Sequence, residues 1–424
     1  MADGRRTTRE VRLANRANVL YTLRRNGAIS RQDVATAAGV SQATSANVVA
    51  ELLEEGVLVE AGQLPSSGGR PASLVGVNGE HAGVIGVELG ETGVRLELFD
   101  LTLQRLALVE RGARAGRQEV DHIVELVADG VTELLASAQT DRADVLGIGV
   151  GVPGIVEDNG TPLVHAPSIG WSGVPFASLL AEAVGVGVTV DNGAKALGTA
   201  EAWFGAAAEA ETVVVCLIGT GVGASILHGG RVYRGASASA GEWGHTTMVV
   251  DGAPCRCGAH GCLEAYVGAP AIAQRWRRAT RGARGAVGVS DDRAIEHLAI
   301  LAEAGRATAT KVVAETARYL GAGVSDLINL LNPDRIVIGG WVGLRLGPLL
   351  LPLLREEARR RALTPPFERV SMELCHLGPD AVALGAATMV VDRFFAAGGR
   401  RDALATGVRR AHQVGAATPA GAVT

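Results

Sequence analysis

Between residues 13 and 60 the apolar positions recur at helical spacing. Leu13, Ala17, Leu20 and Leu23 line one face of a helix that should stop at Gly27. Ser30 is placed to cap a second helix that turns at Gly39, and Ser41 to cap a third that ends at Gly56. The pattern predicts three short helices and a strand, with helix-turn-helix spacing. On the third helix Val48, Val49, Leu52 and Leu53 form the inward stripe, while Gln42, Ala43, Ala46, Asn47 and Ala50 face outward. After Gly56, VLVEAGQLPSSGGRPASLVGVN reads as a strand, a flexible tip and a second strand, which is a wing.

From Gly83 the pattern changes to strands and glycine turns. VIGVELGETGVRLELFD predicts two apolar strands around a turn at Gly90, and residues 213–230 repeat the design around Gly219 to Gly223. A strand, glycine turn, strand unit occurring twice predicts two similar lobes that clamp a ligand between them. Helices are expected near 118–138, 306–330, 347–362 and 380–396, with strands at 145–150, 188–191 and 370–374. Residues 397–424 are rich in Ala, Gly and Arg without apolar periodicity and read as a disordered tail.

A chain of 424 residues with 47% hydrophobic content is long enough for two or three domains, and its composition is that of a soluble globular protein. No apolar run approaches a membrane span and no secretory signal is read at the N-terminus, so a cytoplasmic protein without membrane partners is expected. The net charge of −4 says little, but its distribution says more: residues 1–32 carry eight arginines against Asp3 and Glu10. The outer face of the third helix is small and uncharged near its start, which suits a major groove. Gln42 and Asn47 are candidates for base edges, Thr44 and Ser45 for the core edge or phosphate contacts, and Arg70 in GGRPA for a phosphate or minor-groove edge. An ordinary three-helix interaction module remains the alternative.

Three of the five cysteines lie in GEWGHTTMVVDGAPCRCGAHGCLE, residues 241–264. Cys255, Cys257 and Cys262, with Gly258 and Gly261 between them and His245 upstream, form a closed Cys3His set of the kind that holds a structural zinc. Glu242 and Glu264 flank the set. A metal that fixes this loop would fix both carboxylates beside an imidazole, a pattern suited to accepting hydrogen bonds from sugar hydroxyls.

Here the chain resembles the ROK family, the repressors and sugar kinases that share an actin-like and hexokinase-like fold. CRCGAHGCLEAY follows that family's second signature, C-[GP]-C-G-x2-G-C-[hydrophobic]-E-x-[YFVIN], and departs at Arg256. The N-terminal segment is similar to the winged helix of ROK repressors, including S-R-x-x-[LV]-A, G-[LV]-S and GGRP. The resemblance implies an α/β chain: a winged helix-turn-helix over 1–64, a wing end and linker over 65–80, and a ribonuclease H-like ROK domain over 81–396, with lobes at about 81–191 and 192–396. It places zinc on His245, Cys255, Cys257 and Cys262, and sugar on Glu242, His245 and Glu264 with Gly154, Ser168 and Asn192. It implies a double-stranded operator with an inverted repeat, a sugar or oligosaccharide effector, and a homodimer or homotetramer.

Family kinases need more than this chain supplies. GTGVG, with Gly219, Thr220, Gly221 and Gly223, fits the second phosphate loop, and NPDRIVIGG at 332–340 resembles the adenosine-side segment. The first phosphate loop, D-x-G-G-T in the family, reads Glu88-Leu89-Gly90-Glu91-Thr92, so that Glu91 brings bulk and negative charge where an anion would sit. In the kinase motif E-N-D-A-N the aspartate is the base that takes the sugar proton; here that position is Gly193, after Asn192, with Lys195 in place of the second asparagine. Losing a general base costs about 10²- to 10⁴-fold in rate. A shifted alignment would offer Asp191 instead. The expected function is a sugar-responsive repressor of carbohydrate uptake or catabolism genes with no catalytic residue. The alternative is an ATP-dependent hexokinase or N-acetylhexosamine kinase fused to a DNA-binding module.

Overall fold

The computed structural model describes residues 7–63, 73–113, 116–158, 160–280 and 290–401. Its N-terminal unit holds helices α1 (Thr8–Asn26), α2 (Arg31–Ala38) and α3 (Gln42–Glu54). Strands β1 (Ile29–Ser30), β2 (Leu58–Gln63) and β3 (Ser73–Val77) form a small sheet in the order β1-β3-β2. Each helix starts at a hydroxyl cap. Thr7 accepts from the Glu10 N–H and Glu10 returns the bond to the Thr7 N–H, which starts α1 earlier than its first apolar position. Ser30 and Ser41 accept from the N–H groups of Asp33 and Thr44. The wing tip, including Arg70, lies outside the described residues.

The first lobe contains β4 (Gly83–Leu89), β5 (Gly93–Phe99), β6 (Arg105–Gly112), α4 (Val120–Ala138) and β7 (Val145–Val152). A small sheet of β8 (Ile155–Asp158), β9 (Pro162–Ala166) and β10 (Trp171–Val174) follows, then α5 (Phe176–Val184), β11 (Val188–Asn192) and α6 (Gly193–Phe204). The second lobe contains β12 (Thr212–Ile218), β13 (Val222–His228), β14 (Arg231–Val232), α7 (Glu264–Val267), α8 (Ala269–Ala279), α9 (Asp291–Glu303) and α10 (Ala307–Leu331). It continues with β15 (Arg335–Gly339), α11 (Trp341–Arg359), α12 (Thr364–Arg369) and β16 (Ser371–Leu374). The two five-stranded sheets run β6-β5-β4-β7-β11 and β14-β13-β12-β15-β16. In both, the first hairpin is antiparallel and the later two strands add in parallel on its other side. The repeated hairpin in the sequence is therefore a repeated topology, as expected of a duplicated fold.

The last helix, α13 (Ala381–Ala396), corrects the expected lobe boundary. It does not stay with residues 192–380 but returns to the first lobe and lies across β4 and β7. The approach is close: a Cβ on Gly149 would stand 1.8 Å from the Ala386 carbonyl oxygen, so glycine is required there. The far end of α13 enters the core of the N-terminal unit. Phe394, Phe395 and Val391 are buried in one cluster with Leu20, Leu23, Val48, Leu52 and Val57. The segment read as a disordered tail also begins with fixed residues. The buried Arg16 donates to the Gly398 carbonyl at 2.7 Å, and Arg401 donates to the Ala143 and His81 carbonyls. Residues 402–424 lie outside the described residues. Among the described residues no helix is long and apolar enough to cross a membrane.

Candidate functional site

The loop after β14 folds back on itself through the bridges Thr247 to Cys262 and Pro254 to His260. Gly261, at φ +77°, sits where any Cβ would strike the Val249 carbonyl at 1.7 Å. This folding brings one ligand atom from each of His245, Cys255, Cys257 and Cys262 within 4.8 Å of one another. The Cys257 and Cys262 sulfurs are 3.8 Å apart, and the Cys255 sulfur is 3.7 Å from His245 Nδ1. An ideal tetrahedron with metal–sulfur bonds of about 2.3 Å has edges of about 3.8 Å. The donor set and its spacing fit a four-coordinate metal, closed to further ligands.

A cavity of about 570 Å³ separates the lobes, within the range for small-molecule sites. Gly154, Ser168, Asn192, Glu242, His245 and Glu264 all line it, so the proposed sugar residues converge although they come from both lobes. Their roles differ. Asn192 caps α6, its oxygen accepting from the Ala194 and Lys195 N–H groups, and its amide donates to the Gly154 carbonyl at 2.6 Å. It ties the Gly154 turn to the helix and keeps one amide hydrogen for a ligand. Glu264 is nearly buried, one oxygen accepting from the Val222 N–H at 2.9 Å and the other facing Arg256 at 3.2 Å. Burial pushes the Glu242 carboxyl above its ordinary range, against the pull of Lys195 and His245 and with a further push from Glu264.

Both glycine turns, with Gly219, Thr220, Gly221 and Gly223 on one side and Gly90 and Glu91 on the other, face this cavity. Gly193 faces it too and offers no proton acceptor. Asp191 does not take its place: it is 3% exposed, accepts from the Asn192 N–H and pairs with Arg234 at 2.6 Å. Lys195, at 1% exposure, donates to the Ala238 carbonyl at 2.5 Å. Burial lowers its pKa, with Asp191 and Glu242 acting in the opposite direction. The sequence pattern did not reveal the partner of Arg256. Its guanidinium grips both oxygens of Glu91 at 2.7 and 2.6 Å and reaches the Thr220 carbonyl at 3.1 Å. The signal was present as two departures of opposite charge.

On the N-terminal unit, Gln42 and Asn47 are exposed on α3, Gln42 donating weakly to the Gln32 carbonyl at 3.4 Å. Thr44 is half-buried with its hydroxyl 2.8 Å from that of Ser41. Ser45 is a correction: at 1% exposure it lies inside the three-helix core, so its hydroxyl cannot reach a phosphate. It falls on the same side of the helix as Val48 and Val49, one turn on, and Leu52, two turns on.

A family model described as the ROK family matches residues 84–393. The xylose repressor of Caldicellulosiruptor bescii is 30% identical over 381 residues, covering 89% of this chain and 95% of the repressor. The crystal structure of a ROK family transcriptional regulator, a homologue of the Escherichia coli MLC protein, superposes with a TM-score of 0.76 at 25% identity, covering 94% of this chain and 99% of the other. A ROK family glucokinase from Streptomyces griseus, solved with glucose and AMPPNP, gives a TM-score of 0.65 at 27% identity. It covers 99% of its own length but 73% of this chain.

Proposed function

Since the chain belongs to the ROK family and matches regulators of that family over nearly its whole length, we propose that it is a sugar-responsive transcriptional repressor. It acts on genes of carbohydrate uptake or catabolism and is released by a sugar or oligosaccharide. The observation that carries this reading is the joining of two parts: a winged helix that presents Gln42 and Asn47, and a sugar-type cleft whose base position is Gly193. A kinase of this type needs an acceptor there to orient and deprotonate the sugar hydroxyl. The nearest carboxylate in sequence, Asp191, is held by Arg234.

In this reading Gln42 and Asn47 read base edges, Thr44 stands at the helix start near the backbone, and Arg70 on the wing meets a phosphate or the minor groove. Glu242, His245, Glu264 and Asn192, with Ser168 and the Gly154 turn, hold the sugar. His245, Cys255, Cys257 and Cys262 would hold a structural zinc, which fixes the loop that carries Glu242 and Glu264. The chain works as a homodimer or homotetramer on an inverted repeat in the cytoplasm, where its DNA is. Residues 1–64 form the DNA-binding domain, 65–80 the wing end and linker, and the ROK domain runs from 81 with α13 returning to its first lobe.

The path from sugar to DNA runs through helices rather than through lobe rotation alone. The helix α6 starts at Asn192 in the cleft, and α13 starts at Ala381 and Val382, which also line it. The two helices pack along each other and end against α1 at Trp203 and Phe395. Measuring operator binding with a panel of neutral mono- and oligosaccharides tests the reading, with a coupled kinase assay beside it. Sugar alone should release operator DNA with ATP adding nothing. Phosphorylation of any sugar in the panel, or operator affinity unmoved by a sugar that calorimetry finds bound, overturns it.

A further inference from the structure

Glu91 and Arg256 are two of the departures from the family pattern in the cleft, and they meet. Glu91 sits in the turn between β4 and β5 on the first lobe, and Arg256 between two metal-type cysteines on the second. The guanidinium makes a two-bond pair with Glu91, donates to the Thr220 carbonyl of the opposite glycine turn, and reaches Glu264 at 3.2 Å. A single side chain thus spans the mouth between the two glycine turns. The pair is largely shielded, with side-chain exposures of 14% for Glu91, 9% for Glu264 and 35% for Arg256.

We propose that Arg256 and Glu91 form a latch across the cleft that selects against anionic ligands, so that the site admits uncharged sugar and excludes nucleotide polyphosphate. The proposal rests on the regulator reading and adds the ligand class. The argument is electrostatic and steric. Between facing glycine turns, backbone N–H groups and a nearby arginine would together receive a phosphate. Here one guanidinium nitrogen is consumed by both oxygens of an internal carboxylate and the other by the Thr220 carbonyl and Glu264, and the glycine-turn position is filled by the Glu91 carboxylate. Two acids, Glu91 and Glu264, share the one guanidinium, and Glu242 lines the same cavity. Arg95 and Arg111 also line the cavity but are paired with Glu110 and Glu133, so an incoming phosphate would meet more acids than arginines in a partly desolvated site and would have to displace Glu91 to reach Arg256. A neutral sugar does neither.

The pair also makes a sharp prediction in the opposite direction. Removing Glu91 while keeping Arg256 should leave a guanidinium anchored by Glu264 and pointing into the cleft, which creates an anion site. Titration calorimetry with inorganic pyrophosphate and with a non-hydrolysable ATP analogue, on full-length protein, reads this directly. Wild type should bind neither measurably, Glu91→Gly and the near-isosteric Glu91→Gln should each gain roughly tenfold or more in affinity, and Glu91→Gly with Arg256→Gly should lose that gain. The Glu91→Gln variant guards against a fold defect, checked by its thermal midpoint and zinc content. Anion affinity unchanged in both single variants, or equally raised in the double variant, overturns the latch. The titration uses no DNA, so it judges the latch by itself, whereas wild-type operator binding that no sugar moves would strike the regulator reading.

Discussion

The guanidinium carbon of Arg24 stands 4.2 Å from the ring centroid of Trp203, and Arg24 Nη1 donates to the Trp203 carbonyl at 3.1 Å. Arg24 belongs to the last turn of α1 in the N-terminal unit, and Trp203 to the last turn of α6, whose other end is capped by Asn192 on the cavity between the lobes. Tyr21 closes the contact from the side, edge-on to Trp203 and to Phe395, with its hydroxyl 2.8 Å from Asp392 Oδ1. One helix thus runs from the cavity between the lobes to the N-terminal helical unit.

Arg24→Met should therefore weaken the signal more than either binding event. It removes a cation–π contact and a hydrogen bond, worth about 1 to 2 kcal/mol together. Sugar affinity should stay within roughly twofold, while the sugar-induced drop in operator affinity should shrink by a factor of about three or more. Sugar titrations with and without operator DNA measure both; an unchanged drop would remove this contact from the pathway.

The two serine-side positions of α3 should behave in opposite ways. Asn47→Ala should cost about 1 to 3 kcal/mol on the preferred operator and relax one position per half-site, leaving random DNA almost unaffected. Ser45→Ala should leave operator affinity unchanged and hold or raise the thermal midpoint, because the Ser45 hydroxyl is buried without a hydrogen-bond partner. Fluorescence anisotropy on operator variants, together with thermal melts, distinguishes the two.

For the metal loop, Cys257→Ser should lower zinc content and weaken zinc affinity by at least roughly tenfold. Because the loop carries Glu242 and Glu264, sugar affinity should fall with it. Metal analysis of carefully prepared protein checks the first outcome, and sugar calorimetry on the same sample the second. Full zinc occupancy in the variant would remove Cys257 from the ligand set.

A pH dependence follows from Glu88, at the end of β4 on the cavity wall. Burial pushes its carboxyl up to about 7, with Arg95 pulling down and Glu97, Asp380 and Glu110 pushing up. The folded protein then holds the proton more tightly than the unfolded chain, whose carboxyl keeps its ordinary value of 4.5. Its contribution is full below about 4.5 and is lost as pH rises through about 7. Thermal midpoints should fall over that window, and Glu88→Gln, which cannot ionise, should flatten the fall and be the more stable protein above pH 7. Parallel pH–melting curves for the two proteins check the sign.

The sequence by itself determined what is closed within a few residues. Hydroxyl caps at Ser30 and Ser41 satisfy N–H groups three positions on, Gly39 ends α2 in the left-handed region, and apolar runs on either side of glycine turns mark the paired hairpins. The Cys3His set was legible for the same reason, since its donors lie within one loop whose glycines permit one fold. What the spacing could not give is any relationship set by how distant segments meet. Glu91 and Arg256 are 165 positions apart and neither has a local partner to announce the other. Ser45 reads equally as a core-edge or a phosphate-contact residue until the helices close over it, and the sequence does not show that Lys195 is buried and donates to the Ala238 carbonyl. The return of α13 to the first lobe, and with it the link between cleft and DNA-binding unit, rests on small residues fitting between backbones, as at Gly149. Helical periodicity fixes which face of such a helix is apolar, but the surface that receives that face exists only after the sheets have formed.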